Sequence, residues 1–286
     1  MTQSAAASTD AAPAFDIQTA DCIRFLEGLA DDSVDIIVTD PAYSGMNQHM
    51  RFGHGRIVGH YGRPDNARWF TEFSDDPDTY RRFLAECRRV LRDDRHIYIM
   101  FDSFSLLSLG ALVREFFDVK CVIVWDKVHL GMGHYFRRRH EQIVFASKGR
   151  RKLTRRDLHD VWAVPRLRKA AYPTQKPVEL FERMLVASSE PGYVVCDPFT
   201  GSGSSAIAAL RHGCEFLGAD IDARAVAMAR ARCAEMVASG DGSLPVAVMT
   251  PCAEFDTEPS SLRTTPPMPE IEPALLTMLG PARLRP

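Results

Sequence analysis

"YVVCDPFTGSGSSAIAALRHGCEFLGADID", residues 193–222, predicts one unit of a parallel α/β sheet. It has the pattern of a strand, a glycine turn, a helix, a second strand and an acid. Gly201, Gly203 and Ala206 fit G-x-G-x-x-A, and Asp220 stands near the end of the second strand. Glycines let the backbone approach a ligand closely, and a later acid can accept hydrogen bonds from ribose hydroxyls. The stretch therefore indicates an adenosine site, with a tight turn needed only for packing as the alternative.

The same alternation of strand and helix patterns runs through most of the chain. Short apolar runs rich in valine and isoleucine, typical of strands covered on both faces, occupy residues 34–40, 96–101, 119–125, 141–147, 193–196 and 215–219. Helical patterns occupy residues 78–91, 103–116, 178–188, 204–213 and 223–240. For the clearest of these, 78–91, Asp76 and Pro77 supply an N-cap and a first-turn proline. This order predicts an α/β fold with a doubly wound, mostly parallel, Rossmann-like sheet.

A second strand ends in residues that suit a reactive site, in "IIVTDPAYSG" (36–45). Ligands bind beyond the carboxyl ends of strands in open α/β sheets. There the Asp40 carboxylate and the rigidly held carbonyl of Pro41 would accept the hydrogens of an exocyclic base amine and free its lone pair for attack on a methyl group. Tyr43 would stack on that base once it is swung out of a duplex. A plain turn after a strand is the alternative, and the glycine unit in the same sheet favours the site.

The charge before the glycine turn indicates which cofactor would bind. Asp197 would repel a pyrophosphate and would suit a ligand with a positive amino group. A nicotinamide dinucleotide also needs two mononucleotide-binding halves, and only one more clear strand follows residue 201. S-adenosylmethionine carries an adenosine, an ammonium and a sulfonium but no phosphate. The residues therefore favour S-adenosylmethionine, with an NAD-dependent oxidoreductase as a more distant alternative.

The composition of the 286 residues is that of a globular protein, 45% hydrophobic with a net charge of −2. No apolar run reaches 18 residues and the first 14 residues lack the features of a signal peptide, so we expect a cytoplasmic protein with no membrane partner. The seven cysteines form no Cys-x-x-Cys pair, which disfavours disulfides and zinc and predicts mostly buried thiols. His49, His54 and His60 share a loop without helical spacing, so no metal site is predicted.

One segment departs from this charge balance. Residues 137–169 hold twelve Lys and Arg side chains against three acids. A local excess of this size indicates a polyanion such as a nucleic acid as partner. An Arg-rich solvated surface is the alternative.

Together these motifs resemble those of the β-class amino-group DNA methyltransferases of bacteria and phages, over about residues 15–240. "TDPAYS" is similar to the family's catalytic Asp-Pro-Pro-Tyr motif, and "DPFTGSG" to its cofactor loop. "TQKP" (174–177) is similar to the motif near the methionine end of the cofactor, and "WDK" (125–127) and "RRRHEQIVFASKG" (137–149) resemble framework stretches. The catalytic motif precedes the cofactor loop, which is the permuted order of the β class.

The resemblance implies a permuted, seven-stranded methyltransferase sheet. It also implies methyl transfer from S-adenosylmethionine to the N6 amine of a flipped-out adenine in double-stranded DNA. Ala42 stands where the family has a second proline, which leaves the Pro41 carbonyl in place. Transfer to cytosine N4, an RNA or protein substrate, and an inactive DNA-binding module stay open as alternatives.

The resemblance further assigns residues to roles. The implied catalytic residues are Asp40, Pro41 and Tyr43. The implied cofactor-binding residues are Asp21, Cys22, Thr174, Lys176, Asp197, Phe199, Gly201, Ser202, Gly203, Ser204 and Asp220. The expected DNA-binding residues are Arg137, Arg138, Arg139, Arg150, Arg151, Lys152 and Arg155.

The chain is expected to divide into three parts. A disordered N-terminus (1–14) precedes a catalytic domain (15–249), and a Pro-rich acidic tail covers residues 250–286. A loop at 44–76 and a basic target-recognition region at 148–172 are inserted in the domain. A homodimer, nucleoid association and a cognate restriction endonuclease are further expectations from the family.

Overall fold

The computed structural model describes residues 15–42, 73, 76–131, 136–155, 157–168, 170, 172 and 174–239. Eight strands in these ranges form one sheet: β1 (Phe15–Thr19), β2 (Val34–Thr39), β3 (Leu91–Phe101), β4 (Asp118–Asp126), β5 (His140–Lys148), β6 (Val161–Ala163), β7 (Val194–Asp197) and β8 (Glu215–Asp220). Their order across the sheet is β1-β8-β7-β2-β3-β5-β4-β6. Neighbours are parallel except at β5, which runs antiparallel to β3 and to β4. The predicted mostly parallel α/β sheet is therefore confirmed.

The predicted count of seven strands was too low, since the described residues contain eight. The six apolar runs of the sequence leave out the two edge strands of the described sheet, β1, which pairs with β8, and β6, which pairs with β4. Each buries a single side chain, Ile17 in β1 and Trp162 in β6. Neither strand therefore carries the apolar run that marks the central strands.

Seven α-helices lie in the described ranges: α1 (Cys22–Glu27), α2 (Pro77–Val90), α3 (Ser103–Leu109), α4 (Val113–Phe116), α5 (Val178–Ser188), α6 (Ser204–Arg211) and α7 (Ala223–Ser239). The predicted start of α2 is confirmed, because the Asp76 side chain accepts the backbone N–H groups of Asp78 and Thr79 at 3.1 and 2.9 Å. The single helix predicted at 103–116 is wrong, since a 3₁₀ turn that starts at Gly110 separates α3 from α4. None of these helices has the length and apolar character that a membrane crossing requires.

Two hydrophobic clusters cover opposite faces of the sheet. In β2, Ile36 and Val38 belong to one cluster, with residues of α5, α6 and α7. Ile37 belongs to the other, with residues of α1 and α2. Every residue of β2 is buried, which explains why its apolar residues Ile36, Ile37 and Val38 are consecutive and do not alternate with polar ones. The expected buried thiols are also found, at Cys22, Cys87, Cys196, Cys214 and Cys233.

The carboxyl ends of five neighbouring strands share one edge of the sheet, and each strand ends in an aspartate or is followed by one within two residues. In sheet order these are Asp21, Asp220, Asp197, Asp40 and Asp102. The end of β4 brings Lys127 to the same edge, and the antiparallel β5 starts there with His140 and Glu141. The fold thus concentrates acids at one edge, where cations or a positively charged ligand would be stabilised.

Candidate active site

A cavity of about 500 Å³ opens at this edge of the sheet. Asp40 and Pro41 reach it from the end of β2, and the glycine turn reaches it from the end of β7. The two strands are direct neighbours, with Ile37 opposite Cys196. Twelve residues predicted as catalytic or cofactor-binding line the cavity, namely Asp21, Cys22, Asp40, Pro41, Thr174, Lys176, Asp197, Phe199, Gly201, Ser202, Ser204 and Asp220. The two motifs therefore meet in one space.

The glycine turn combines a left-handed backbone with a close helix contact. Gly201 has a φ of +53°, and its backbone N–H donates to the Asp220 carboxylate at 2.9 Å. Gly203 has a φ of +85°, and a Cβ added there would lie 2.9 Å from the Cβ of Ala229 on α7. Gly203 does not line the cavity. Its position explains how α6 packs against α7, and the structure does not bring it to the predicted cofactor contact.

Two aspartates of the cavity are held by the turn itself. Asp197 is buried and accepts the Ser205 hydroxyl at 2.6 Å and the Phe199 backbone N–H at 3.0 Å. Burial raises the pKa of Asp197 to about 7, although both hydrogen bonds act in the opposite direction. Burial likewise raises the pKa of Asp220, which accepts two backbone N–H groups. A cationic ligand group would stabilise the ionised form of both.

A row of alternating charges lines another part of the cavity. The ammonium of Lys176 is ion-paired with the Asp40 carboxylate and lies 3.9 Å from Oε2 of Glu141. The other oxygen of Glu141 accepts from the Lys127 ammonium at 3.0 Å. Burial raises the pKa of Asp40, while Lys176 acts to lower it. Burial disfavours the charged forms of Glu141 and Lys176, but ion pairing with their neighbours outweighs this effect. The pKa of Glu141 is therefore lowered and that of Lys176 is raised.

The sequence does not predict this row. Its motifs indicate a cofactor contact for Lys176, and the segments that contain Lys127 and Glu141 resemble framework stretches. The missing information was the antiparallel register of β4 and β5, which sets Trp125 opposite Glu141. Side chains on adjacent strands lie about 5 Å apart, so Lys127, two residues further on, can reach Glu141. No pattern within a single segment contains that register.

Aromatic rings form the apolar part of the wall. The Phe199 ring lies edge-on to the rings of Phe73 and Phe83, with centroid distances of 5.3 and 5.6 Å. The backbone N–H of Phe73 donates to the Ala42 carbonyl at 2.8 Å, which connects this wall to the catalytic motif. The rings therefore fix Phe199 at the cavity surface. Tyr43, predicted to stack on the base, lies outside the described residues.

Cys22, predicted to be a cofactor-binding residue, is a neutral thiol. Burial and the nearby Asp21 raise the pKa of Cys22 to about 12, which excludes a thiolate nucleophile near neutral pH. No group of three or more His, Cys, Asp or Glu side chains suited to a metal ion is found among the residues that the structure describes. His49, His54 and His60 lie outside them.

The predicted DNA contacts divide between two edges of the sheet. Arg137, Arg138 and Arg139 directly precede β5 and are exposed at the cavity edge. Arg139 pairs with Asp126 at 2.6 Å, and the Arg138 guanidinium lies 4.8 Å from the ring centroid of Phe104. Arg166, one of the twelve basic residues of segment 137–169 and not among the predicted DNA contacts, also lines the cavity.

The remaining predicted contacts lie at the far edge. The register of β3 and β5 places Gln142 at the cavity edge and Lys148 at the opposite edge. Segment 148–155 therefore begins about 20 Å from the cavity. Four predicted contacts line a second cavity there, and they are Arg150, Arg151, Lys152 and Arg155. Two are paired with acids, Arg151 with Glu190 and Arg155 with Asp157. The structure does not bring these four to the first cavity, because β5 carries the chain away from it and β6 returns it.

Comparison with known proteins places the chain in a family. A family model described as DNA methylase, named for N6 and N4 methyltransferases, matches residues 34–231. Type II methyltransferase M2.LlaDCHI of Lactococcus lactis subsp. cremoris is 29% identical over 237 residues, which cover 74% of this chain and 87% of that protein. The M1.HpyAVI–SAM complex has the same fold, with a TM-score of 0.55 and 19% identity over 76% of this chain and 99% of that chain. So does the cytosine-N4-specific PvuII DNA methyltransferase, with a TM-score of 0.57 and 14% identity over 82% and 99%. This protein belongs to the DNA methylase family of N6 and N4 methyltransferases.

Proposed function

We propose that this protein transfers a methyl group from S-adenosylmethionine to the N6 amine of an adenine flipped out of double-stranded DNA. The observation that carries the proposal is that Asp40 and Pro41 open onto the same cavity as the glycine turn. Two strand spacings separate the end of β8 from the end of β2, which is about 10 Å. That distance suits a cofactor whose adenosine lies at β8 and whose methyl group lies at β2.

The cavity residues suit S-adenosylmethionine better than a dinucleotide. Asp220 would accept the ribose hydroxyls and Asp197 the amino group of the methionine part, whereas both carboxylates would repel a pyrophosphate. The cavity also holds donors for a carboxylate, which are Thr174, Lys176 and Ser202. When bound, the cofactor supplies an activated methyl group on a sulfonium.

In the proposed reaction, Asp40 and Pro41 accept the two hydrogens of the target amine. This would withdraw the nitrogen lone pair from the ring and leave it available for attack on the methyl group. The bond from that group to sulfur would break as the N–C bond forms, and the proton lost from nitrogen would pass to the Asp40 carboxylate. Lys176 favours the ionised, accepting form of Asp40. Pro41 is buried, has no N–H, and presents its carbonyl from a fixed φ. Tyr43 would stack on the extruded base.

We propose that the duplex lies along the cavity edge, because the flipped base must enter there. The exposed arginines at that edge are Arg137, Arg138, Arg139 and Arg166. Their charges would contact phosphates and, in part, guanine edges. Segment 148–155, about 20 Å away, is a less direct candidate for this contact. A homodimer, a cognate endonuclease and nucleoid association stay predictions from the family resemblance.

Transfer to cytosine N4 is the second candidate. It is favoured by the fold shared with the PvuII enzyme, which is cytosine-N4-specific. Both base amines offer two hydrogens, so Asp40 and Pro41 would serve either. The Asp-Pro-x-Tyr sequence favours adenine by resemblance to the family.

Labelled methyl transfer tests the proposal. Wild-type protein is incubated with duplex DNA and isotope-labelled S-adenosylmethionine, and the digested nucleosides are analysed by mass spectrometry. We expect the label in N6-methyldeoxyadenosine. Label in N4-methyldeoxycytidine would show that the target base is cytosine, and no label in either nucleoside would contradict the proposed function. Asp40→Ala should lower transfer about 100-fold or more while the cofactor Kd stays within about threefold by calorimetry. Asp118→Ala, at an exposed site of β4, is the matched control and should keep both.

A further inference from the structure

The row of charges at the cavity contains two residues that the proposed reaction does not use. Lys127 comes from the end of β4 and Glu141 from the start of β5, while Lys176 comes from the segment before α5. The Lys176 backbone is anchored, because its carbonyl accepts the Ser204 hydroxyl at 2.8 Å. Its side chain instead lies between two carboxylates, in contact with Asp40 and 3.9 Å from Glu141. Carboxylates from two other elements, at the end of β2 and the start of β5, therefore converge on one ammonium.

We propose that Glu141 and Lys127 are positioning residues for methyl transfer, which set how firmly Lys176 holds the Asp40 carboxylate. The inference rests on the proposed function, because it concerns the acceptor of the target amine. Glu141 draws the ammonium away from Asp40, and Lys127 limits that attraction by pairing with Glu141 at 3.0 Å.

The proposed chemistry requires that Lys176 bind the Asp40 carboxylate with intermediate strength. The target amine and Lys176 both draw on the negative charge of the same carboxylate. An ammonium held only by Asp40 would neutralise the carboxylate and weaken it as an acceptor. With no ammonium, burial would favour the protonated acid, which is a weaker acceptor than the carboxylate. Sharing Lys176 with Glu141 avoids both extremes.

The groups that face this row define the expected pH dependence. The charged groups around Asp40 are Lys176, Glu141, Asp102 and Asp197, and those around Glu141 include Lys127 and Arg138. Transfer needs ionised Asp40, so activity is lost as the pH falls through the pKa of that group. Glu141 raises the pKa of Asp40 and Lys176 lowers it. Removing the charge of Glu141 should therefore move the acid limb of the kcat–pH profile to lower pH, and removing the charge of Lys176 should move it to higher pH.

Two substitutions in the row should move the acid limb in opposite directions. Glu141→Gln removes an anion near Asp40, so its limb should move to lower pH, while kcat at the plateau falls about tenfold because Lys176 then binds Asp40 alone. Lys127→Met leaves Glu141 free to draw Lys176 away, so its limb should move to higher pH. Glu141→Asp keeps the charge and should keep the limb near its wild-type position.

The experiment measures kcat against pH at saturating DNA and S-adenosylmethionine, with the cofactor Kd and the melting temperature of each variant. Lys120→Met, on β4 outside the cavity, is the control and should match wild type. Opposite movements with a Kd within about threefold of wild type support the inference. Unmoved limbs, or activity losses that follow the melting temperatures without moving the limbs, overturn it.

The two proposals fail in different ways. A wild-type protein that transfers no methyl group overturns the proposed function and this inference with it. An active wild type whose Glu141 and Lys127 variants keep the wild-type limb overturns the inference alone. If Glu141→Gln does not fold, Lys127→Met and Glu141→Asp still decide between these outcomes.

Discussion

Replacing Asp197 by asparagine tests whether burial raises the pKa of this carboxyl group and whether its charge binds the cofactor. Asp197 is buried, and burial raises its pKa from 3.8 to about 7. The folded state thus binds this proton more tightly than the unfolded state. The resulting stabilisation is fully present below the unfolded pKa and is lost as the pH rises through about 7. At about 1.4 kcal/mol per pKa unit, wild type loses about 2 kcal/mol from this group between pH 5.5 and 8.

Asparagine does not ionise, so Asp197→Asn should escape that loss. Its amide can keep hydrogen bonds with Ser205 and Phe199, whose present distances are 2.6 and 3.0 Å. Urea unfolding without cofactor, at pH 5.5 and at pH 8, gives the free energy of unfolding of both proteins. The stability of the variant relative to wild type should be about 2 kcal/mol higher at pH 8 than at pH 5.5. The exposed Asp118→Asn serves as the control and should show no such trend.

The same variant should bind S-adenosylmethionine less well. A charged hydrogen bond contributes about 1.5–3 kcal/mol, so the Kd at pH 8 should rise about tenfold or more. A stability difference that does not change with pH would show that Asp197 ionises as freely in the folded protein as in the unfolded chain. An unchanged Kd would remove this residue from the cofactor site.

Further predictions concern packing and DNA binding. Gly203→Ala should lower the free energy of unfolding by about 1–3 kcal/mol more than Gly192→Ala. Both glycines have a positive φ, but a Cβ at Gly203 would contact Ala229, whereas a Cβ at Gly192 would contact nothing within 4 Å. Equal losses would show that the contact with Ala229 is not the cause. Arg166→Glu should weaken duplex binding and reduce its salt dependence, whereas Arg150→Glu at the far edge should do so less. The opposite ranking in a salt titration by fluorescence anisotropy would place the duplex at the far edge.

The central sheet and the meeting of the two motifs could be predicted from the sequence because both depend on local patterns. The strands β2 and β7 contain consecutive apolar residues, Ile36 to Val38 and Val194 to Cys196, and such runs are typical of strands covered by helices on both faces. Strand ends in a parallel sheet share an edge, so Asp40 and Asp197 were expected to lie near each other. The N-cap of α2 followed in the same way from Asp76 and Pro77.

The features that could not be predicted depend on pairing between distant segments. The partner of Lys176 is Asp40, which lies 136 residues earlier, and the partner of Lys127 is Glu141 on an antiparallel strand. The basic target-recognition region predicted at 148–172 is continuous in sequence. However, β5 and β6 place its segment 148–155 at the far edge of the sheet and Arg166 at the cavity edge. The edge strand β6 was missed for the related reason that only Trp162 in it is buried.

The most direct test of the shared cavity is a crystal structure of the protein with an unreactive analogue of S-adenosylmethionine. The attacking nitrogen must lie about 3 Å from both the methyl carbon and the Asp40 carboxylate. We therefore expect the methyl position of the analogue within about 6 Å of Asp40, and its amino group at Asp197. An analogue bound with its methyl position far from Asp40, or outside the cavity between β2 and β7, would contradict the proposed reaction.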